Sequence, residues 1–181
     1  ELPDPVAHYR MDERSGNTVR DSSGNGYHGT SSGIANSSFL AKGHDGRVGS
    51  AIDFDGTDDY ITTSNINTGS GGFGVTNKIT VTCWAKSDTE NWNQDGMLIS
   101  KRDSFILHPS SSKTIQFYIY NSTWYNASHT MSTINTWNLY TGTYDGSNIK
   151  LYINGVLVAT STHSGTIDND AGGTLFIGHD D

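Results

Sequence analysis

Ile149-Lys150-Leu151-Tyr152-Ile153-Asn154-Gly155-Val156-Leu157-Val158 decides the fold class of this chain. Two apolar runs flank Asn154-Gly155, a dipeptide that favours a type I′ hairpin turn because both residues tolerate positive φ. Ile149, Leu151 and Ile153 alternate with Lys150 and Tyr152, so this strand buries one face. Tyr144-Asp145-Gly146 marks the turn before it. Upstream, Ile115-Gln116-Phe117-Tyr118-Ile119-Tyr120 repeats the alternation, with Ile115, Phe117 and Ile119 toward a core and Tyr118 and Tyr120 away from it.

The same period recurs in both directions. Strands are predicted over 5–11, 50–55, 58–63, 78–87, 96–101, 104–108, 114–120, 123–128, 136–144, 147–153, 156–162 and 174–178. Segments 20–49 and 64–77, rich in Gly, Ser and Asn, read as loops, and no heptad, helical period or internal repeat interrupts the pattern. The 21 glycines and 3 prolines suit many tight turns. The expectation is one all-β domain over 1–181, an antiparallel two-sheet sandwich.

Composition narrows the function classes. The net charge is −8 with only 11 Lys and Arg, a balance that repels phosphate backbones and argues against nucleic acid. No apolar run reaches the ~20 residues a membrane span needs. The neutral polar residues, with charged residues at 17%, suit an extracellular or cell-surface protein. The lone Cys83, inside Thr80-Val81-Thr82-Cys83-Trp84, cannot form an intramolecular disulfide and reads as a small buried hydrophobe. The opening Glu1-Leu2-Pro3-Asp4-Pro5 looks like a processed terminus or a piece of a longer protein.

Several motifs fall into a recognisable order. They are Val6-Ala7-His8-Tyr9-Arg10-Met11-Asp12-Glu13, Val19-Arg20-Asp21-Ser22-Ser23-Gly24-Asn25-Gly26-Tyr27-His28-Gly29, and Gly49-Ser50-Ala51-Ile52-Asp53-Phe54-Asp55-Gly56-Thr57-Asp58-Asp59-Tyr60-Ile61. Ile79-Thr80-Val81-Thr82-Cys83-Trp84, Trp137 to Gly146, Lys150 to Gly155 and Leu175-Phe176-Ile177-Gly178 follow. In this order they resemble the laminin-G-like jelly rolls of the concanavalin A-like lectin/glucanase superfamily. That resemblance implies a lectin-like jelly roll, places Trp84 and Trp137 on core strands, and makes calcium a common companion. It also implies a further strand after Gly178, returning beside Ala7 to Met11. Such a strand would have to come from downstream sequence or be donated by a neighbouring chain.

Two acidic stretches are candidate cation ligands. Asp21-Ser22-Ser23-Gly24-Asn25-Gly26-Tyr27 matches the opening half of an EF-hand loop without its distal Glu. Asp21, Ser23 and Asn25, completed by a distant residue such as Asp58 or Asp59, would form a calcium site. The alternative is an Asx-turn network in which Asp21 and Asn25 cap their own loop. Asp55-Gly56 reads as a hairpin turn between strands ending at Phe54 and beginning near Tyr60. Asp168-Asn169-Asp170-Ala171-Gly172 reads as a solvated loop.

Sugar binding needs exposed aromatic faces beside amides. Trp92, Trp124, Tyr125, Tyr118 and Tyr120, with Asn121 and Asn126, are the candidates, and Trp92 could equally anchor its loop. A retaining glycosidase needs two carboxyl groups ~5–5.5 Å apart, whereas Glu1, Glu13 and Glu90 are dispersed. Tyr118, Tyr120, His108 and Arg102 keep a polysaccharide lyase open as a minor alternative. The seven histidines are scattered, which argues against zinc. Asn36-Ser37-Ser38, Asn121-Ser122-Thr123 and Asn126-Ala127-Ser128 match glycosylation acceptors, as chance allows in so Ser/Thr-rich a chain. The leading expectation is a non-catalytic recognition module for glycan with structural calcium, and the runner-up an adhesion or assembly domain contacting protein.

Overall fold

The computed structural model describes residues 4–13, 15–33, 44–45, 47, 49–63, 77–94, 96–110, 112–168 and 174–179. Its strands are β1 (Thr18–Val19), β2 (Gly29–Ser32), β3 (His44–Asp45), β4 (Ser50–Ala51), β5 (Tyr60–Thr63), β6 (Ile79–Ala85) and β7 (Ile99–Lys101). β8 (Phe105–Pro109), β9 (Thr114–Tyr120), β10 (Trp124–Thr130), β11 (Asn138–Tyr144), β12 (Asn148–Ile153), β13 (Val156–Thr162) and β14 (Leu175–Ile177) complete them. Among the described residues there is no helix.

An eight-stranded sheet in the order β1-β2-β5-β14-β7-β8-β9-β10 faces a four-stranded sheet in the order β13-β12-β11-β6, and every pairing is antiparallel. Period-two alternation builds the core between them. Ile115, Phe117 and Ile119 on β9 are buried against Tyr140 and Tyr144 on β11 and Ile149, Leu151 and Ile153 on β12. The β12–β13 turn is the expected one: φ is 53° at Asn154 and 81° at Gly155. The Asn154 carboxamide also accepts the Leu139 N–H at 2.9 Å and donates to Asn138 Oδ1 at 2.8 Å, tying the turn to β11. Asp145 Oδ1 accepts the N–H groups of Ser147 (2.9 Å) and Asn148 (2.8 Å), which fixes the preceding turn.

Several expectations change on folding. Residues 5–11 do not form a strand: Tyr9 makes an isolated bridge to Asp21. Asp55-Gly56 is a turn, with Gly56 at φ 75°, but not a hairpin. β4 pairs with β3, whereas β5 pairs with β2 and β14. The segment 20–49 contributes strands, since Gly29–Ser32 pairs along β5. Cys83 packs against the core as expected, and burial pushes its thiol up to about 12. Trp84 does not belong to the core. Its parity with Thr80 and Thr82 turns it outward, 43% exposed, with the Arg47 guanidinium 5.2 Å from its ring centroid. Trp137 is half-buried, with Lys86 Nζ 5.9 Å from its ring centroid.

β14 is interior to its sheet, between β5 and β7. In the other sheet β6 pairs with β11 on one side and with no strand on the other among the described residues. Asn36-Ser37-Ser38 and most of the 168–172 stretch lie outside the described residues.

Candidate functional site on the outer face of the larger sheet

The register between β9 and β10 places Tyr120 opposite Trp124, Tyr118 opposite Asn126 and Gln116 opposite Ser128. All six alternate with core positions, so all point away from the sandwich. Paired side chains across an antiparallel ladder lie close enough to touch, and diagonal ones remain within reach of large rings. The Trp124 indole accordingly packs on Tyr120 with centroids 4.9 Å apart and on Tyr118 edge-to-face at 6.0 Å. His108, on neighbouring β8, meets Tyr118 edge-to-face at 6.0 Å. Burial raises the Tyr118 phenol above its usual value, partly offset by a hydrogen bond with Gln116.

Four of the seven candidate ligand residues therefore converge: Trp124, Tyr118, Tyr120 and Asn126. The other three do different work. Tyr125 shares its parity with buried Ala127 and turns inward, stacked on His163 at 3.7 Å. The Asn121 carboxamide donates to the Thr166 carbonyl at 2.5 Å and belongs to a loop clamp, completed by Ser122 N–H donating to Asp168 Oδ2 at 2.7 Å. Trp92 anchors its loop: the ring packs against the core, 6.0 Å from Tyr140, and the backbone N–H of Trp92 donates to the Ser112 carbonyl at 2.8 Å.

A second aromatic group on the same face was not a candidate from sequence. Tyr60 on β5 lies 5.8 Å from Phe176 on β14, and His179 stacks on Tyr60 at 5.4 Å. Their parity with buried Ile61 and Ile177 was legible, but their meeting depends on β14 inserting beside β5.

Three of the four expected calcium ligands, Asp21, Ser23 and Asn25, meet in one loop. Asp21 is buried and takes four hydrogen bonds: Oδ1 accepts from His8 N–H and Ser23 N–H, each at 2.9 Å, and Oδ2 from Ser23 O–H (2.8 Å) and Tyr27 N–H (3.0 Å). Burial raises its pKa, but these bonds outweigh that and leave it below the ordinary 3.8. Asn25 and Ser23 also hydrogen-bond the Val6 carbonyl, at 3.0 and 3.1 Å. Positive N–H and O–H ends face the Asp21 carboxylate, which is the Asx-turn network named above as the alternative to a cation site, and it pins residues 6–8. Asp58 instead gathers with Asp55 and Asp59, their carboxylate oxygens within 4.8 Å of one another. Burial raises the Asp59 pKa, an Asp55 N–H bond at 3.0 Å opposes this, and repulsion from Asp55, Asp58 and Asp53 adds to the rise. Three hard, mutually repelling oxygen donors have the chemistry a calcium ion takes.

Of the four residues that keep a polysaccharide lyase open, His108 and Tyr118 meet on the aromatic face, 6.0 Å apart. Among the described residues the one group of three His, Cys, Asp or Glu side chains is this aspartate turn. Glu13 accepts the Arg20 N–H at 2.6 Å in one loop, and Glu90 is exposed in another.

The Laminin_G_3 family model, described as the concanavalin A-like lectin/glucanases superfamily, matches residues 55–181. The chain belongs to this family. Comparison with curated proteins gives no match. Among solved structures, domain 4 of AbnA, a GH43 extracellular arabinanase from Geobacillus stearothermophilus in complex with arabinotriose, is similar at 21% identity. Its TM-score is 0.64, over 95% of this chain and 82% of that one. The receptor binding domain of botulinum neurotoxin C/D mosaic serotype is similar at 17% identity with TM-score 0.69, over 98% of this chain and 44% of that one. The binding domain of botulinum neurotoxin DC, in complex with rat synaptotagmin II, aligns at 13% identity with TM-score 0.64, over 98% and 44%. The chain thus spans less than half of each neurotoxin binding domain. At these identities the likeness concerns the fold alone. Among the described residues no helix is long and apolar enough to cross a membrane.

Proposed function

We propose that this laminin-G-like domain is a non-catalytic extracellular recognition module that binds glycan on the outer face of its eight-stranded sheet. The observation that carries this reading is the trio Tyr118, Trp124 and Tyr120, preassembled at 4.9–6.0 Å on one strand pair and turned outward. Rings braced by one another lose little freedom when a sugar stacks on them, and the Asn126 and Gln116 amides offer hydrogen bonds to hydroxyl groups. The arabinotriose complex of a similarly folded domain supports the ligand class. No outward position of the strands of this sheet carries Asp or Glu, so the paired carboxylates of a glycosidase have no place on them. The test is a glycan array with affinity electrophoresis on a polysaccharide panel. Trp124→Ala should abolish retention while leaving the melting temperature within a few degrees, and no reducing ends or unsaturated products should appear. Retention unaltered by Trp124→Ala, or turnover lost on mutating a residue of this face, overturns the reading.

Calcium belongs to the proposal as a stabiliser of the Asp55–Asp59 turn, held by Asp55, Asp58 and Asp59, and not as a ligand-binding ion.

A second reading has its own observation. On the outer face of the four-stranded sheet, Trp84 and Leu157 are 43% and 49% exposed. Half-buried Leu139, opposite Trp84, and Tyr152, opposite Leu157, join them across the strands. An apolar stripe of this kind suits a protein contact. It ends at β6, where a strand donated by a neighbouring chain could extend the sheet.

A further inference from the structure

The outer face of the eight-stranded sheet carries a second feature besides its aromatic rings. β1, β2, β5, β14, β7, β8, β9 and β10 turn outward only Thr, Ser, Tyr, Phe, Ile, His, Gln, Trp and Asn. The alternation that buries Val19, Ile61, Leu175, Ile177, Leu107 and Ile119 places no Asp, Glu, Lys or Arg at any outward position of these strands. This holds in a chain with 19 acidic and 11 basic residues. An ionised ligand would find no Asp, Glu, Lys or Arg at these outward strand positions. A neutral, hydroxyl-rich one would find stacking rings, hydroxyls and amides.

The register also connects the two aromatic groups. Phe176 pairs with Ser100, Ser100 with Ile106, and Ile106 with Tyr118. Phe176 and Tyr118 therefore stand in one row, three strand spacings or about 14 Å apart. Between them Ser100 and Ile106 are buried and add no bulky exposed side chain. Tyr60 and His179 extend the row beyond Phe176, and Trp124 extends it beyond Tyr118. One or two sugar rings can occupy one group. Only a longer chain reaches both.

We infer that the ligand is a neutral, linear polysaccharide lying across the strands, bound at two stations: Tyr60, Phe176 and His179 at one, Tyr118, Tyr120 and Trp124 at the other. This rests on the glycan reading above and specifies its charge and length. Two stations joined by one ligand bind as linked sites. The second contact forms at high effective concentration, so affinity climbs once the ligand spans the gap.

The experiment is isothermal titration of the wild-type domain with neutral arabinan, xylan and β-glucan oligosaccharides of increasing length, from monosaccharide to hexasaccharide. A sialylated oligosaccharide and a heparin fragment serve as charged comparisons. The expected result is a step in affinity on the order of a hundredfold between short and long members of one neutral series. Weak or absent binding of the charged ligands should accompany it. His179→Ala, at an exposed residue of one station, and Trp124→Ala, at the other, should each flatten the step. The wild-type length series needs no variant to fold. Equal affinity for di- and hexasaccharide, or preference for the charged ligands, overturns the two-station inference while leaving glycan binding intact. Binding to no glycan in the panel overturns both.

Discussion

Gly142→Ala tests how closely the two sheets are packed. Gly142 lies on β11, and Phe117, on β9 of the opposite sheet, is fully buried. A Cβ at Gly142 would stand 2.7 Å from Phe117 Cδ1 and closer still to Cγ and Cδ2. Ordinary carbon contacts lie near 3.5–4.0 Å, so the ring or the strand must yield by about an ångström. Phe117 cannot swing into solvent, because Ile115, Ile119, Leu107 and Tyr140 are buried in the same cluster. Overpacking costs typically 1–3 kcal/mol, and a methyl group aimed at an immobile ring belongs at the upper end, about 3 kcal/mol. For a domain of this size each kcal/mol moves the melting temperature by roughly 2–4 °C, so a fall of roughly 6–12 °C is expected. Urea unfolding followed by tryptophan fluorescence measures the free energy directly, and Gly142→Ala combined with Phe117→Ala, which removes the struck atoms, closes a double-mutant cycle. Removing the ring should relieve the clash, giving a favourable coupling of about 1 kcal/mol or more. A Gly142→Ala protein within about 0.5 kcal/mol of wild type, or a cycle with no coupling, refutes the inter-sheet packing described above.

Two further outcomes follow from the acidic loops. Asp21→Asn replaces an acceptor-only group with one whose NH2 faces Ser23 and Tyr27 donors, and should cost about 2 kcal/mol at neutral pH in urea unfolding. Because the folded Asp21 pKa lies below its ordinary 3.8, its stabilisation is complete above that value and fades as pH falls through the folded pKa; the variant's deficit should shrink in the same acid range. A deficit that stays constant into strong acid would count against the hydrogen-bonded carboxylate. Millimolar calcium should raise the melting temperature and chelator should reverse the rise. The effect should vanish in Asp58→Asn with Asp59→Asn and persist in Asp21→Asn, and a midpoint insensitive to calcium removes the ion from the proposal.

What the sequence determined alone is what is local. The Asn154-Gly155 turn, the Asp145-Gly146 turn and the inward sets on β9 and β12 each depend on a positive φ or on a period of two, which neighbours along the chain specify without knowledge of the fold. Part of the site was legible on the same ground: Tyr118 and Tyr120 face away from Ile119, and the β9–β10 hairpin register puts Trp124 with them. That register also excludes Tyr125, one residue on and therefore on the opposite face. Only the tertiary structure decided the rest. Trp84 reads as a core residue, yet strand parity on β6 turns it to solvent. Asp21 and Asp58 look like partners in one cation site; folding gives Asp21 hydrogen bonds from His8, Ser23 and Tyr27 and groups Asp58 with Asp55 and Asp59. Tyr60 and Phe176 meet because β14 crosses the chain to lie beside β5, and no local signal marks that pairing. Sheet order depends on long-range ladders, a property of the whole chain, and so the second aromatic group joins the face of the proposed site only once β14 has paired with β5.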